Sequence, residues 1–312
     1  MCSMLNKNQY LLNYRKDVNS QFGEDGIIEK IFELIPASEQ NNWCVEFGAW
    51  DGKHFSNTYN LIYNKKWHGV LIEGEKERWQ MLVENYKGLD RVLAFNRLIN
   101  FEGKDTLDNV LLETDIPENF DFMSIDIDGL DYHIWDSVKK YKPKVVVIEY
   151  NPFIPGNIGF VQEANFKVKH GNSILSITNL AKEKGYELIC INQENAFYTD
   201  RKYFKYFNID DNSINALKHF DEPLQVFQLY DGTIRFHGSQ SLYYYNLGFD
   251  FNKFQVLPKS LRQAHIPWKG TTLFQKILLK LIKILYSVNP VDKEACWSWK
   301  SEYKSLINYE DK

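Results

Sequence analysis

The chain has 312 residues, of which 44% are hydrophobic and 25% charged, the composition of an ordinary soluble globular protein long enough for a substantial core. Its 37 basic and 41 acidic side chains leave a net charge of −4, so no global field draws it to nucleic acid, and no nucleic-acid partner is expected. Cys2, Cys44, Cys190 and Cys296 form no CxxC pair, which points to buried thiols in a reducing cytoplasm; residues 1–16 lack a long apolar run, so neither a signal peptide nor a membrane anchor is expected.

In chain order, residues 21–36 space Ile27, Ile28, Ile31 and Phe32 like the inner face of a helix, capped by Ser20 or Asp25 and ended by Pro36. Residues 43–47 are short, apolar and β-prone, and run into Gly48, Asp51 and Gly52: a strand, a glycine turn and the start of a helix over 55–64. A second strand, 68–73, ends in Glu73, 21 residues after Gly52, close to the offset of about 20 at which an acid meets ribose hydroxyls. A helix over 75–86, a strand over 91–95, a short helix over 106–112, a strand over 120–128, a helix over 130–140 and a β-branched strand over 144–150 follow. Strands and helices alternating in this way predict an α/β fold, a mostly parallel, doubly wound sheet covered on both faces.

Two prolines and two glycines in 151–160 predict a loop beside the strand ends, and 173–184, 187–191 and 196–199 predict a helix and two last strands around the turn NQEN. The division falls at 200/201, with 1–200 a ligand-binding core and 201–312 an α/β appendage for acceptor binding or oligomerisation. In the appendage, 227–236 reads as a hairpin turning at Asp231 and Gly232. Residues 273–286 read as an amphipathic helix with Lys276, Lys280 and Lys283 on one face. It either packs on its own domain or a second subunit, or makes a peripheral membrane contact. Tyr243 to Tyr245 and Trp268 are candidates to stack on sugar faces, or to serve simply in packing.

Ligands of open parallel sheets bind beyond the carboxyl ends of the strands, so Glu46, Glu73, Asp126, Asp128, Glu149 and Asn151 are expected to face one crevice. Acids gathered there repel each other unless a cation, a ligand or a proton relieves them. A sulfonium cofactor, S-adenosylmethionine, suits such a site, because the turn lacks the full GxGxxG of a dinucleotide fingerprint. Asp126, or Asp128 in its place, with Glu149 and Asn151 also suits Mg²⁺ or another divalent cation.

The segments SQFGEDG (20–26), VEFGAWDGKHFSNT (45–58), GVLIEG (69–74), SIDIDGLDYHIW (124–135) and VVVIEYNPFIP (145–155) together resemble the FkbM-type branch of class I methyltransferases, over about residues 20–199. The resemblance implies a Rossmann-like class I methyltransferase fold, S-adenosylmethionine as cofactor and O-methylation of a hydroxyl, often on a sugar. It further implies that Glu46, Gly48, Asp51 and Gly52 hold the methionine end and Glu73 the ribose. Asp126 and Asp128 stand where cofactor meets acceptor, and Gln21, Glu24 and Asp25 close over the cofactor. The chain departs from the branch's commonest IDVEG by having IDIDG, which shortens the reach at Asp128. Methyl transfer to oxygen needs the hydroxyl's proton removed, and His54, His133 and His170 are candidate general bases, each balanced by a packing or capping role. Two other readings remain at this stage: a nicotinamide-dependent sugar oxidoreductase and a non-catalytic interaction module.

Overall fold

The computed structural model describes residues 10–219, 224–238, 241–242, 245, 247–262 and 272–286. The chain divides into two compact units, Met1–Pro223 and Leu224–Lys312. The first unit therefore runs past the division expected at 200/201, because the short helix Ile214–Leu217 buries Leu217 in the main core.

The first unit is built on seven strands: β1 (Trp43–Phe47), β2 (His68–Glu73), β3 (Val92–Asn96), β4 (Phe122–Ile125), β5 (Val145–Glu149), β6 (Tyr186–Ile191) and β7 (Asn195–Asp200). They lie in the order β3-β2-β1-β4-β5-β7-β6; β7 runs antiparallel to both neighbours, and the pairings from β3 to β5 are all parallel. The order reverses between β1 and β4, which sets the crevice at their carboxyl ends. A parallel sheet closed by a single reversed strand is a Rossmann-like class I methyltransferase fold.

Both faces are covered, which is why the strands read as near-continuous apolar runs. Val45, Phe47, Met123, Ile125, Val146 and Ile148 point to one face, where α3 (Leu107–Leu111), α4 (Asp131–Ser137) and α5 (Ile174–Glu183) pack. Cys44, Leu71, Phe122 and Val147 point to the other, covered by α1 (Glu24–Leu34) and α2 (Lys76–Asn85). Cys44 and Cys190 are free, buried thiols; Cys2 and Cys296 lie outside the described residues.

Two predicted elements differ. The helix expected over 55–64 is a turn followed by a single wide helical turn, Asn60–Asn64. Phe55 takes a left-handed φ of 54°, and Ser56 to Thr58 bend around the Glu46 carboxylate instead of entering a helix. The strand expected over 120–128 stops at Ile125, because Asp128 (φ 57°) and Gly129 (φ 130°) turn the chain. The Asp131 carboxylate fixes that turn by accepting from the N–H groups of Ile127 at 2.9 Å and Gly129 at 2.8 Å.

In the second unit, Gln225–Gln228 and Ile234–His237 form the expected antiparallel hairpin, with Gly232 at φ 80° in its loop. Helix Leu273–Tyr286 is present, with Leu273, Phe274, Ile277, Leu281 and Ile284 exposed. Tyr243, Tyr244 and Trp268 lie outside the described residues, and Tyr245 is exposed. Among the described residues no helix is long and apolar enough to cross a membrane.

Gly48 shows how tightly the crevice is built. At φ 75°, a Cβ there would lie 1.9 Å from the backbone oxygen of Asp126, so only glycine lets the turns after β1 and β4 touch. Gly88 has a similar φ of 80° with nothing within 4 Å. Chemical denaturation is expected to show Gly48→Ala losing about 3 kcal/mol or more and Gly88→Ala only about 1 kcal/mol, the backbone term alone.

Candidate functional site

The carboxyl ends of β1, β2, β4 and β5 carry the predicted acids, and the two-residue alternation of a strand puts Glu46, Glu73, Asp126 and Glu149 on the α1 side of the sheet. They divide into two groups by how they are partnered.

The first group is partnered by local donors. Glu46 is buried and accepts from the Ser56 and Thr58 hydroxyls, both at 2.6 Å, and from the Asn57 N–H at 2.8 Å. Its pKa is raised by burial, an effect those three bonds oppose. Glu73, also buried, accepts from the N–H of Trp50 at 2.8 Å and of Glu75 at 2.7 Å, one bond to each oxygen. That leaves further acceptor capacity on each oxygen for hydroxyls. Leu98 is 62% exposed, and its side chain lies beside Gly74 just past the end of β2, offering an apolar surface to a flat ring. Asp131 holds the 127–129 turn; burial pushes its pKa up to about 6 against the pull of its backbone bonds.

The second group has no such donors. Asp126, Glu149 and Glu194 accept no hydrogen bond from any described side chain or N–H. Together with Gln21, Phe22, Glu24, Phe55, Asn57 and Asn195 they line a narrow cleft whose enclosed part is about 20 Å³, room for one water or ion. Asp126 reaches solvent at the mouth of this cleft. Protein around it, and then the charges of Asp131 and Asp128, push its pKa up to about 7. Glu149 is raised well above the usual carboxylate range, first by burial and then by Asp126, and Glu194 is raised by burial and Glu24. Asp128 stands exposed with the Lys169 ammonium 3.7 Å away, and one oxygen from each of Asp126, Asp128 and Glu149 lies within 4.8 Å of the others.

Other predicted residues sit elsewhere. Asn151 is committed to its loop: its Nδ2 donates to the His170 carbonyl and its Oδ1 accepts from the Phe153 N–H, both at 2.8 Å. Asp51 caps its own turn through the N–H groups of Lys53 and His54, and Gly52 packs where a Cβ would meet the Tyr86 ring at 2.5 Å. His54 lines an open hollow of about 670 Å³ with Val18, Asn19 and Met81 and is not among the residues lining the acidic cleft. His133 is 2.7 Å through Nε2 from the Gln162 carbonyl; a carbonyl only accepts, so that nitrogen carries the proton and pins the 151–173 loop. His170 is exposed, its N–H donating to Gln162 Oε1.

Glu194 and Asn195, which carried no sequence signal, complete the cleft, and Glu24 and Asp25, expected to close over the cofactor, are tied into the fold around it. Glu24 accepts through Oε2 from the N–H groups of Gln21 and Phe22, and through Oε1 from the side-chain amides of Asn192 and Asn195. It thereby ties the segment before α1 to the β6–β7 turn. Asp25 accepts from the N–H groups of Val18, Asn19 and Ser20. Both acids open α1 in sequence, where acids are expected for the helix dipole alone, and nothing in the pattern marks their long-range partners.

No protein-family model and no curated protein matches the chain. Among solved structures it is similar to the CurJ carbon methyltransferase (9% identity, TM-score 0.38), covering 56% of this chain and 52%, about half, of that one. It is also similar to a SAM-dependent methyltransferase from Aquifex aeolicus (12%, TM-score 0.37, covering 62% and 97%) and to M. jannaschii TYW2 in complex with AdoMet (16%, TM-score 0.33, covering 59% and 79%). The fold assignment is carried by the strand order above.

The raised carboxyl pKa values set a pH dependence. Unfolded aspartates titrate near pH 3.9, so between that value and about 6 to 7 the folded protein holds protons that the unfolded chain releases. The stabilisation is complete below the unfolded pKa and is lost as pH rises through the folded ones. Thermal melts in chelator are expected to show Tm falling from pH 5 to pH 8, with a shallower fall in Asp126→Asn.

Proposed function

We propose that the protein is an S-adenosylmethionine-dependent O-methyltransferase of FkbM type, acting on a hydroxyl of a sugar, either nucleotide-activated or part of a growing glycan. One observation carries the choice of donor. The switch-point crevice offers unpartnered acceptors, while most N–H groups of the turn after β1 are already engaged. Trp50 donates to Glu73, Gly52 to the Ala49 carbonyl, Lys53 and His54 to Asp51, and Asn57 to Glu46. A diphosphate needs free N–H groups at a helix N-terminus, whereas a sulfonium and an ammonium need acceptors. This disfavours the nicotinamide oxidoreductase.

The residues fit the cofactor. Glu73 retains acceptor capacity for ribose hydroxyls, Leu98 offers an apolar face for the adenine, and the Asp126 side of the crevice receives the cationic end. The enclosed part of the cleft is far below the ~300 Å³ of a small-molecule pocket, so the open side of the crevice holds the cofactor. When bound, the cofactor supplies an electrophilic methyl group. The chain's task is to orient the acceptor oxygen in line and take its proton. Asp126, at the mouth with a pKa of about 7, is placed for proton removal near neutral pH. His133, held by Gln162, positions the loop that walls the acceptor side.

The test is cofactor binding followed by transfer. S-adenosylhomocysteine is expected to raise Tm and NADH to leave it unchanged. Glu73→Ala is expected to weaken S-adenosylhomocysteine binding by about 10- to 100-fold, since hydrogen bonds to a charged acceptor contribute about 1.5–3 kcal/mol. Labelled methyl transfer to sugar acceptors then checks the reaction; absence of binding at millimolar cofactor would end this reading.

A further inference from the structure

We infer that the cleft between the ends of β4, β5 and β7 is a divalent-cation site of all-oxygen type, held by Asp126, Asp128, Glu149 and the side-chain carbonyl of Asn195. The carboxylates alone do not make the case. Asn195 does. It is only 7% exposed, it lines the same cleft, and its Oδ1 has no hydrogen-bond partner among the described residues. A buried amide oxygen left unpaired costs about 1–3 kcal/mol, and a cation on it removes that cost.

The sheet brings Asp126, Glu149 and Asn195 together, and Asp128, exposed beside the Lys169 ammonium at 3.7 Å, adds its oxygen from the turn after β4 rather than from the cleft wall. Glu149 and Asn195 are direct partners across the antiparallel β5–β7 pair, so their side chains leave on the same face. Ile125 pairs with Ile148 in the parallel β4–β5 ladder, so the next residues, Asp126 and Glu149, leave neighbouring strands at the same level. One oxygen from each of the three acids lies within 4.8 Å of the other two. Oxygens across a Ca²⁺ ion with bonds of 2.3–2.6 Å stand about 4.6–5.2 Å apart, and those around Mg²⁺ somewhat closer. The enclosed volume of about 20 Å³ takes one ion.

Asn195 is also prepared as a ligand. Its Nδ2 donates at 3.0 Å to the Glu24 carboxylate, which polarises the amide and makes Oδ1 a better donor to a metal. Oxygen ligands with no sulfur or imidazole select Mg²⁺, Ca²⁺ or Mn²⁺ over Zn²⁺ or copper. Asn195, directly across from Glu149, fills the place that Asn151 held in the sequence reading.

The site does not depend on the methyl-transfer reading, since the cation binds with no cofactor present. Under that reading it adds a second effect: an acceptor hydroxyl on an open coordination position would lose its proton more easily, which offsets the lower basicity of a cation-bound Asp126.

The experiment is a Mn²⁺ titration of chelator-treated full-length protein, without S-adenosylmethionine, read by paramagnetic resonance and by thermal shift, with Mg²⁺ and Ca²⁺ as competitors. The expected result is one Mn²⁺ per chain, a raised Tm and displacement by Mg²⁺ or Ca²⁺. Glu149→Gln and Asn195→Ala should each weaken Mn²⁺ by about tenfold or more, and Asn195→Asp should restore it. Circular dichroism confirms that each variant is folded; if Glu149→Gln is not, the Asn195 pair decides. No binding at 5 mM Mn²⁺, or binding of equal strength in folded Glu149→Gln or Asn195→Ala, overturns the proposal. S-adenosylhomocysteine binding is measured separately on the same preparation, so a failed cation site and a failed cofactor site give different results.

Discussion

Like charges crowded at the carboxyl ends of parallel strands are the constraint around which this molecule is arranged. Glu46, Glu73 and Asp131 answer it with their own loops, each taking two or three N–H or hydroxyl donors from residues close by in space. Those bonds dictate the backbone: the bend at 56–58, the close pass of Trp50 over β2 and the left-handed turn at 128–129 all exist to bring donors to a carboxylate. Asp126, Glu149 and Glu194 receive none. Their shared response is a raised affinity for protons, and by the same physics for any other positive charge that reaches the cleft.

The strands were legible because burial on both faces writes itself as unbroken apolar runs; β1 and β2 begin and end where the sequence places them. The acids at their ends were legible for the same reason, each standing at or just past the end of a mostly apolar run. The helix expected over 55–64 was misread because its apolar spacing is real, but three of its residues serve Glu46 instead. Periodicity reports what a face buries and is silent on a backbone recruited by a side chain ten residues away.

The 151–173 loop was illegible for a related reason. Gln162, buried beside Gly129, accepts from the N–H groups of His170 and Gly171 and donates to the Val168 carbonyl. Asn172 reaches the Gly129 carbonyl at 2.7 Å, and Asn151 clips the loop's two ends together. Single amides satisfying distant backbone groups have no spacing rule, so a glutamine that organises a loop looks like any other polar residue. This also explains the fate of the histidines: the proton-bearing nitrogen of His133 is spent on the loop, whereas His54 lines another hollow.

Glu24 connects these regions. Its two oxygens face opposite ways, one holding the N–H groups of Gln21 and Phe22, the other holding the amides of Asn192 and Asn195. The segment that lines the cleft is therefore fastened to the same amide whose oxygen has no partner among the described residues, opposite Glu149 in the β5–β7 ladder. Any cation that pulls on Asn195 Oδ1 strengthens the opposite end of that amide as a donor and tightens the hold on Glu24, and with it on residues 21 and 22. The chain thus ties the β6–β7 turn, where Asn195 faces the cleft, to a segment that precedes the first strand by some twenty residues.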